Sequence, residues 1–352
     1  MAHTMKDVAK QAGVSPATVS RVLNNASNIS AETARRVLEV VDELRYFKNV
    51  HARRLSTGHS NLFGLVISEI TNPYFAELIR GFQSAAWDRG FDVLLCNTEY
   101  NPDQTQSVFR RLVESDVCGV AIMTTSVDRN IATELTAAGI GVVFCNLAPA
   151  ETLISNISID YRDGIAQAID HVIQLGHRCV AAISGPADNR TAVSIRNALV
   201  AGLRKRKLRP FPEINCDSHV DSGAAAVKAV LSVPEVPTVI FCGSDLIAMG
   251  AMSALEEAGV KIPGDISVIG IDDVSFALLT RPPLTTIRVP REQVGGLAFQ
   301  ALDKMLKLKR HKGAEYSVKT ELVIRKSTAP ARQHKLCIDV ANKPPQGRQP
   351  TI

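Results

Sequence analysis

Eight short, unbroken apolar runs constrain the fold of this chain more than any other feature. They are NLFGLVI, DVLLC, GVAIM, GVVFC, ISNISID, CVAAIS, TVIFCG and ISVIGID. Runs that are apolar throughout, rather than at alternate positions, are typical of parallel strands covered on both faces. Helical patterns lie between them, such as the stripe Phe75, Leu78, Phe82 and Ala86. Because strand and helix alternate, the sequence predicts a doubly wound α/β body.

The alternation occurs in two sets, one starting near Asn61 and the other near Arg178. A later stretch, LTTIRVPREQVGGLAFQALDKML, adds one more strand and one more helix. Two sets predict two lobes with a cleft between them, and ligands of such sheets bind beyond the carboxyl ends of the strands. We therefore expect the cleft to be lined by the loops EITNPYF, MTTS, CNLAP, SGPADNRT, CGSD and GIDD.

Composition excludes several protein classes. The chain has 352 residues, of which 45% are apolar and 21% charged, so it is globular and long enough for two or three domains. No apolar run approaches the roughly 20 residues of a membrane span, and MAHTMKDVAK does not resemble a secretory signal. These features predict a cytoplasmic protein that does not contact a membrane.

Cysteine and histidine spacing predicts neither a disulfide framework nor a metal site. The seven cysteines are odd in number and contain no CxxC pair. His171 and His177 are six residues apart, which is wrong for one helix face. We expect reduced, buried thiols, no metal and no cofactor.

Positive charge is concentrated at the two ends of the chain. Residues 1–59 hold nine Lys or Arg against five Asp or Glu, and residues 330–352 hold four against one. A basic head on a near-neutral body favours contact with a polyanion, although charge alone does not separate nucleic acid from a solvated surface.

The first residues form the pattern of a helix-turn-helix. MKDVAKQA has one apolar face, Gly13 suits a left-handed turn, and Ser15 with Pro16 begins a second helix that buries Val19, Val22 and Leu23. The outward side of that helix carries Ser15, Pro16, Ala17, Thr18, Ser20, Arg21 and Asn24. Short side chains let the backbone enter a major groove, and Arg21 can contact guanine or phosphate. The alternative is an αα-hairpin that binds nothing.

A third helix is predicted from Ser30, with an apolar stripe of Ala34, Val37, Leu38, Val41 and Leu44. The basic segment HARRLSTG follows and contains a single leucine, Leu55. It is either a linker or a hinge that orders on DNA and inserts an apolar side chain into the minor groove.

MKDVAKQAGVSPATVSRVLNN followed by ARRLSTG resembles the head of the LacI/GalR family of bacterial transcription regulators. The resemblance continues through GLVISEITNPYFAELIRGF, LGHRCVAAISGP, PTVIFCGSDLIAMGAMSALEEAGVKIPGDISVIGIDD and PPLTTIRVP, and covers nearly all of residues 4–328. It implies an all-α helix-turn-helix head on a two-lobed, type I periplasmic-binding-protein-like, doubly wound α/β core.

The implied domains are a DNA-binding head at 1–47, a hinge at 48–60 and an effector-binding and dimerisation core at 61–330. Within the core, lobe 1 comprises about 61–161 and 290–325, and lobe 2 comprises about 162–289. The proline- and glutamine-containing segment 331–352 is predicted to be a disordered tail. It has no spaced leucines for a coiled coil, which favours a homodimer over a tetramer.

For DNA, the resemblance implies that two heads bind a palindromic operator, with the paired Leu55 side chains at its centre. Thr4, Met5, Asn28 and Asn49 correspond to positions near phosphates, and Ala52 lies in the hinge beside Leu55. Pro16 and Ala17 occupy positions at which the family varies its base contacts.

For the effector, the resemblance implies a sugar or sugar derivative held by Arg196 and Asp272. The remaining predicted contacts are Tyr74, Phe75, Thr125, Cys145, Asn146, Ser218 and Asp245, of which Asp245 is alternatively a helix cap. Arg196 stands one residue later than is usual in the family, so Arg190 and Thr191 are also candidates. An additional arginine would favour an acidic sugar or a phosphorylated compound.

An enzyme is not expected. The sequence contains none of the patterns GxGxxG, GxxxxGK[ST], GxSxG or HExxH. A periplasmic sugar-binding protein shares the two-lobed body, but the helix-turn-helix and the absence of a signal sequence argue against it. The prediction is a transcription regulator, most simply a repressor of carbohydrate metabolism genes.

Overall fold

The structure is a computed structural model that describes residues 3–23, 28–46, 60–124, 127, 130–146, 149–208, 213–308 and 312–333. The chain divides into two compact units, residues 1–60 and 61–352. No helix within the described ranges is long and apolar enough to cross a membrane.

The described residues of the first unit form three short helices around a small valine-rich core. They are α1 (Met5–Ala12), α2 (Pro16–Leu23) and α3 (Ala31–Glu43). Thr4 caps α1 through a reciprocal pair of hydrogen bonds with Asp7, and Gly13 ends it with a left-handed φ of 65°. Val8, Val19 and Val37 are completely buried where the helices meet.

One predicted core position of α3 is wrong. Leu38 is 48% exposed, whereas Val40 is buried. The buried stripe follows Val37, Val40 and Val41, which lie three and four residues apart, and Leu38 is rotated about 100° from Val37 on a helix.

The second unit contains two six-stranded sheets. The lobe 1 sheet has the order β11-β5-β4-β3-β1-β2, and the lobe 2 sheet has the order β12-β10-β9-β8-β6-β7. The paired strands are parallel except for β10 and β12, which are antiparallel. In each sheet the chain starts inside, adds one strand on one side and then reverses direction, as in doubly wound folds.

The strands of lobe 1 are β1 (Leu62–Ile67), β2 (Asp92–Asn97), β3 (Gly119–Met123), β4 (Gly141–Cys145), β5 (Ile154–Asp160) and β11 (Glu315–Lys319). Those of lobe 2 are β6 (Val180–Ser184), β7 (Glu213–Asn215), β8 (Val239–Cys242), β9 (Ser267–Asp272), β10 (Thr285–Arg288) and β12 (Glu321–Val323). The helices are α4 (Tyr74–Trp87), α5 (Pro102–Glu114), α6 (Asn130–Ala137), α7 (Arg162–Gln174), α8 (Arg190–Lys205), α9 (Val220–Leu231), α10 (Asp245–Glu257) and α11 (Arg291–Lys307). A 3₁₀ turn spans Ser275–Leu278.

The last part of the core departs from the expected division between the lobes. α11 packs on α4 and on strands of lobe 1, as predicted. β12, however, pairs with β10 in the sheet of lobe 2, so residues 321–323 do not belong to lobe 1. The chain therefore passes between the lobes after β5, again between β10 and α11, and again between β11 and β12.

The predicted disordered tail begins too early. The backbone N–H of Ala331 donates to Leu175 O at 2.8 Å. The guanidinium of Arg332 donates to the carbonyls of Val236, Pro237 and Asp265. These bonds attach residues 331 and 332 to lobe 2, and residues 334–352 lie outside the described part of the chain.

Candidate functional site

A small cavity lies between the lobes, at the carboxyl ends of both sheets. Its volume is about 130 Å³. Seven of the predicted effector residues line it, namely Tyr74, Phe75, Cys145, Asn146, Thr191, Ser218 and Asp272. Each follows or ends a strand. The carboxyl ends of parallel strands in one sheet share an edge, and this brings the residues together.

The aromatic wall of the cavity comes from the start of α4. The rings of Tyr74 and Phe75 meet edge to face, with centroids 5.2 Å apart. Phe75 is only 5% exposed and belongs to a hydrophobic cluster with members in both lobes, which fixes its position. Burial raises the pKa of Tyr74 well above its ordinary value, so its hydroxyl is a neutral hydrogen-bonding group.

The end of β4 contributes a thiol and an amide. Burial raises the pKa of the Cys145 thiol to about 12, so it lines the cavity as an uncharged side chain. Asn146 has a left-handed φ of 56°, and its Oδ1 accepts a hydrogen bond from the backbone N–H of Ile159 at 2.7 Å. The oxygen of this amide is thus used to join β4 to β5.

The N-terminus of α8 faces the cavity from lobe 2. The side chain of Asn189 caps the helix by accepting from the backbone N–H groups of Thr191 and Ala192, at 2.9 and 3.1 Å. Asn189, Thr191 and Ala192 all line the cavity. A capped helix terminus presents a fixed set of polar groups to a ligand.

Asp272 supplies the one carboxyl among the described residues that line the cavity. It ends β9 and has an unusual positive φ of 118°. Burial raises the pKa of its carboxyl well above the ordinary value, and the nearby charge of Asp245 acts in the same direction. The positive charge of Arg291 opposes them only in part.

A larger outer cavity of about 710 Å³ shares Tyr100, Asn189 and Ser218 with the inner one. Four carboxylates line it, those of Glu69, Glu99, Asp188 and Asp217, and its described lining contains no lysine or arginine. His219 Nε2 lies 3.6 Å from Glu69 Oε2, so side chains of the two lobes meet at this mouth. The approach to the inner cavity is therefore acidic.

Three predicted effector residues do not reach the inner cavity. Asp245 is completely buried and is not the cap of α10, since Ser244 Oγ fills that role. Arg196 lies away from the cavity, with its Nε 3.7 Å from Glu213 Oε2. Arg190 lines a separate groove, together with Arg162, Lys205 and Arg206. The two arginines sit on the sides of α8 that turn away from the cavity.

In the first unit, the predicted DNA-contacting residues lie mostly on the surface. Ser15, Pro16, Ala17, Arg21, Thr4 and Asn28 are exposed, and Met5, Thr18 and Ser20 are partly exposed. Ser15 Oγ accepts a hydrogen bond from the backbone N–H of Thr18 at 3.1 Å and thereby caps α2. Asn24, Asn49, Ala52, Leu55 and Thr125 lie outside the described residues, as does nearly all of the predicted hinge.

No group of three or more His, Cys, Asp or Glu side chains among the described residues could hold a metal ion. The six cysteines within the described ranges are all free thiols.

Comparisons with known proteins match both units. The profile for bacterial regulatory proteins of the lacI family matches residues 4–49, and a profile for a periplasmic binding protein-like domain matches residues 169–328. The transcriptional repressor PurR of Photobacterium profundum is 33% identical over 331 residues, covering 92% of this chain and 98% of its own. The chain belongs to the LacI family of bacterial regulatory proteins. As a member of that family it is a DNA-binding transcriptional repressor rather than an enzyme.

Solved structures of bacterial regulators share the fold over most of this chain. The Lac repressor dimer bound to operator and the anti-inducer ONPF has a TM-score of 0.84 and 28% identity, over 94% of this chain and 100% of that one. The complex of the regulator CelR with cellobiose has a TM-score of 0.69 and 27% identity, over 92% and 99%. A LacI-family regulator of Enterococcus faecalis with bound ribose has a TM-score of 0.70 and 28% identity, over 77% and 100%.

Some residues that line the cavity of this LacI-family protein were missed by the sequence analysis. They include Ser68, Tyr100 and Tyr161, whereas Asn72 and Asn189 lie in the predicted cleft loops EITNPYF and SGPADNRT but were not singled out there. Tyr161 follows β5 directly. It could have been predicted from its place at the carboxyl end of a strand, as the loop that contains Asp272 was. Tyr100 follows β2 by three residues and has a left-handed φ of 54°, which single-residue patterns do not indicate.

Proposed function

We propose that this LacI-family repressor binds a palindromic operator as a homodimer and that a small, uncharged, polar effector in the inner cavity controls its operator affinity. The most suitable class is a neutral sugar or sugar derivative. The observation that carries this proposal is the inner cavity itself, whose described lining has aromatic faces, hydroxyls and amides around the carboxyl of Asp272. Carboxyl and amide oxygens accept hydrogen bonds from sugar hydroxyls, and aromatic rings pack against the apolar face of a sugar ring.

Charge argues against the acidic or phosphorylated ligand that an additional arginine had suggested. Arg190 and Arg196 lie outside the cavity, and the mouth carries four carboxylates. An anionic ligand would meet repulsion at the mouth and a carboxyl inside, with no lysine or arginine among the described lining residues to offset it. The cavity volume also favours one ring over a long chain.

Related proteins support the class of ligand. Similar solved structures include the regulator CelR in complex with cellobiose and two LacI-family regulators with bound ribose. The Lac repressor has been solved as a dimer on its operator. The same arrangement here would match the two-fold symmetry of the protein to a palindromic DNA site.

A thermal-shift screen tests the effector. The panel contains neutral sugars, sugar acids, sugar phosphates and nucleobases, because a ligand that binds only the folded state raises its melting temperature. We expect hits among the neutral sugars, lost in Asp272→Ala and retained in Asp188→Asn, which changes the mouth only. Hits confined to sugar phosphates would contradict the proposal that the effector is uncharged. Hits confined to nucleobases would contradict a sugar and indicate a planar ring as the effector.

DNA binding by the hinge has its own test, because Leu55 lies outside the described residues. We expect Leu55→Ala to weaken binding to an operator obtained by randomised-site selection and to leave binding to random DNA nearly unchanged. The reason is that phosphate contacts dominate non-specific binding, whereas an apolar side chain in the minor groove acts at one site. Equal losses on both DNAs would contradict this role.

A further inference from the structure

The turn after β9 is held in a conformation that its residues do not favour. Asp272 and Asp273 are consecutive non-glycine residues with positive φ, at 118° and 60°. Such residues persist only where surrounding contacts fix them, and they cluster at ligand sites and switch regions. Asp272 lines the inner cavity, so this turn sets the position of a carboxyl at the cavity.

Lobe 2 itself holds this turn through the Asp245–Val274 hydrogen bond and through ion pairs of Asp273 with Arg288 and Arg325. A further set of contacts comes from one buried arginine at the start of α11. Arg291, the first residue of α11, is 2% exposed. Its Nη1 donates to the carbonyl of Asp272, and its Nη2 donates to the carbonyl of Asp273 at 2.8 Å. The guanidinium therefore binds both residues of the strained turn through their backbone.

The same guanidinium also reaches the other lobe. Its Nη2 lies 2.8 Å from Glu77 Oε2 on α4, and its Cζ lies 5.9 Å from the centroid of the Tyr74 ring. Its Nε has no hydrogen-bond partner within the described structure although it is buried. A buried donor without an acceptor costs stability, so this arginine is not placed for stability alone.

Arg291 moves with lobe 1 because α11 is packed very closely on α4. A Cβ atom on Gly81 would overlap the carbonyl oxygen of Glu292, and one on Gly295 would overlap the carbonyl oxygen of Leu78. Because their backbones approach this closely, α4 and α11 move together as a rigid unit. Arg291 is thus anchored in lobe 1 and holds a turn of lobe 2.

We propose that Arg291 is a positioning residue that makes the placement of the Asp272 carboxyl depend on the position of lobe 1. When the lobes are in the arrangement seen here, Arg291 and Glu77 hold the 272–273 turn with the carboxyl at the cavity. When lobe 1 moves, the turn loses the hydrogen bonds of Arg291 to the carbonyls of Asp272 and Asp273 and keeps only the contacts made within lobe 2, so the Asp272 carboxyl is less tightly positioned. This inference rests on the proposed function for its biological meaning, since that function makes the cavity the effector site.

Amide hydrogen exchange of the full-length protein without any ligand tests the proposal. We expect Arg291→Met to raise exchange at residues 271–274 by about tenfold or more, because the turn then opens locally. Arg291→Lys should not restore protection. A single ammonium group cannot replace the guanidinium, which donates to the carbonyls of Asp272 and Asp273 and to the carboxylate of Glu77. Arg80→Met is the matched control, because it breaks the exposed Arg80–Glu292 pair of 2.7 Å between the same two helices.

A double-mutant cycle tests the link between the lobes. Glu77→Ala changes lobe 1 only, yet it should raise exchange in the 271–274 turn of lobe 2, and it should have no further effect when Arg291→Met is present. Unchanged exchange of the turn in Arg291→Met, or independent effects of the two substitutions, would overturn the proposal. A uniform rise across both lobes would also overturn it, since it would indicate general destabilisation.

The two proposals can fail separately. The exchange experiment uses no ligand and no DNA, whereas the effector screen uses no variant of Arg291. A turn that loosens as expected in a protein without any sugar hit would leave the positioning role intact and reject the sugar effector.

Discussion

Asp245 Oδ2 accepts a hydrogen bond from the backbone N–H of Val274 at 2.8 Å, and its Oδ1 accepts from Thr286 Oγ1 at 2.5 Å. All three residues are buried in lobe 2. The carboxyl that was predicted to contact the effector therefore joins the start of α10 to the end of the 272–273 turn and to β10.

We predict that Asp245→Ala lowers the free energy of unfolding by about 2–4 kcal/mol, because it leaves the Val274 N–H and the Thr286 hydroxyl buried without partners. Asp245→Asn is the matched control, since its amide can accept from Val274 and donate to Thr286. Urea unfolding of both variants measures the difference. An alanine variant as stable as the native protein would show that this carboxyl does not support the turn.

Asp272→Asn should abolish the rise in melting temperature that the effector causes. Without ligand, the same substitution should stabilise the protein at high pH. Burial raises the pKa of Asp272 in the folded state above its ordinary value of 3.8, so the folded protein binds the proton more tightly than the unfolded chain. The contribution of this carboxyl to stability therefore falls as pH rises above 3.8.

The expected gain is about 2–4 °C in melting temperature at pH 8, corresponding to about 1 kcal/mol. It should become smaller as the pH is lowered towards 4. Thermal melts across this range measure it, and a variant that is less stable than the native protein at pH 8 would contradict the assigned cost of burying this charge.

His177 should make lobe 2 less stable in mild acid. Its Nδ1 lies 2.8 Å from Thr238 Oγ1 and its Nε2 lies 2.9 Å from Ala329 O. Burial lowers the pKa of this imidazole below its ordinary value of 6.5, so the unfolded chain binds the proton more readily. The stability contributed by neutral His177 is complete above pH 6.5 and is lost as the pH falls below it.

We expect His177→Gln to be less stable than the native protein at pH 8 and to lose less of its stability between pH 7 and pH 5. Denaturant midpoints at both pH values for the two proteins provide the measurement. Parallel pH profiles would mean that His177 does not account for the loss.

Two serines of the first unit, Ser15 and Ser30, each cap a helix. Comparing their alanine variants distinguishes a contact with DNA from an effect on helix stability. Ser15 Oγ accepts from the Thr18 N–H at 3.1 Å, and Ser30 Oγ accepts from the Thr33 N–H at 3.3 Å. Each serine to alanine change should cost about 1 kcal/mol in its own helix. Amide exchange of α2 and α3 reports that cost.

Operator affinity should distinguish the two variants. Ser15→Ala should weaken binding more than Ser30→Ala does, because Ser15 lies at the start of the helix proposed to enter the major groove. Gel-shift titrations on a selected operator compare them. Equal losses of affinity would assign both effects to stability of the head and would remove Ser15 from the DNA contacts.

The sequence predicted the architecture well where one physical rule acts along the chain. Unbroken apolar runs indicated the parallel strands, and strand ends indicated the cavity loops that contain Tyr74, Asn146 and Asp272. The caps at Ser15 and Ser30 and the turn at Gly13 were also readable, because capping depends on neighbouring residues only.

The direction of side chains was harder to predict. Arg190 and Arg196 were placed at the effector by their position in the chain, yet the rotation of α8 turns them towards a separate groove and towards Glu213. Arg332 was assigned to a disordered tail because local composition does not reveal its acceptors, which belong to residues 236, 237 and 265.

The sequence by itself determined the helix-turn-helix head, the two parallel sheets and the edge at which their strand ends meet, because periodicity, capping and apolar runs are local properties. Only the tertiary structure decided that the Asp272 carboxyl lies at the cavity, that carboxylates line the described part of its mouth and that Arg291 joins Glu77 to the 272–273 turn. Those features depend on residues up to 214 positions apart, brought together by packing of α4, α11 and β9. No local pattern encodes a distance between such residues.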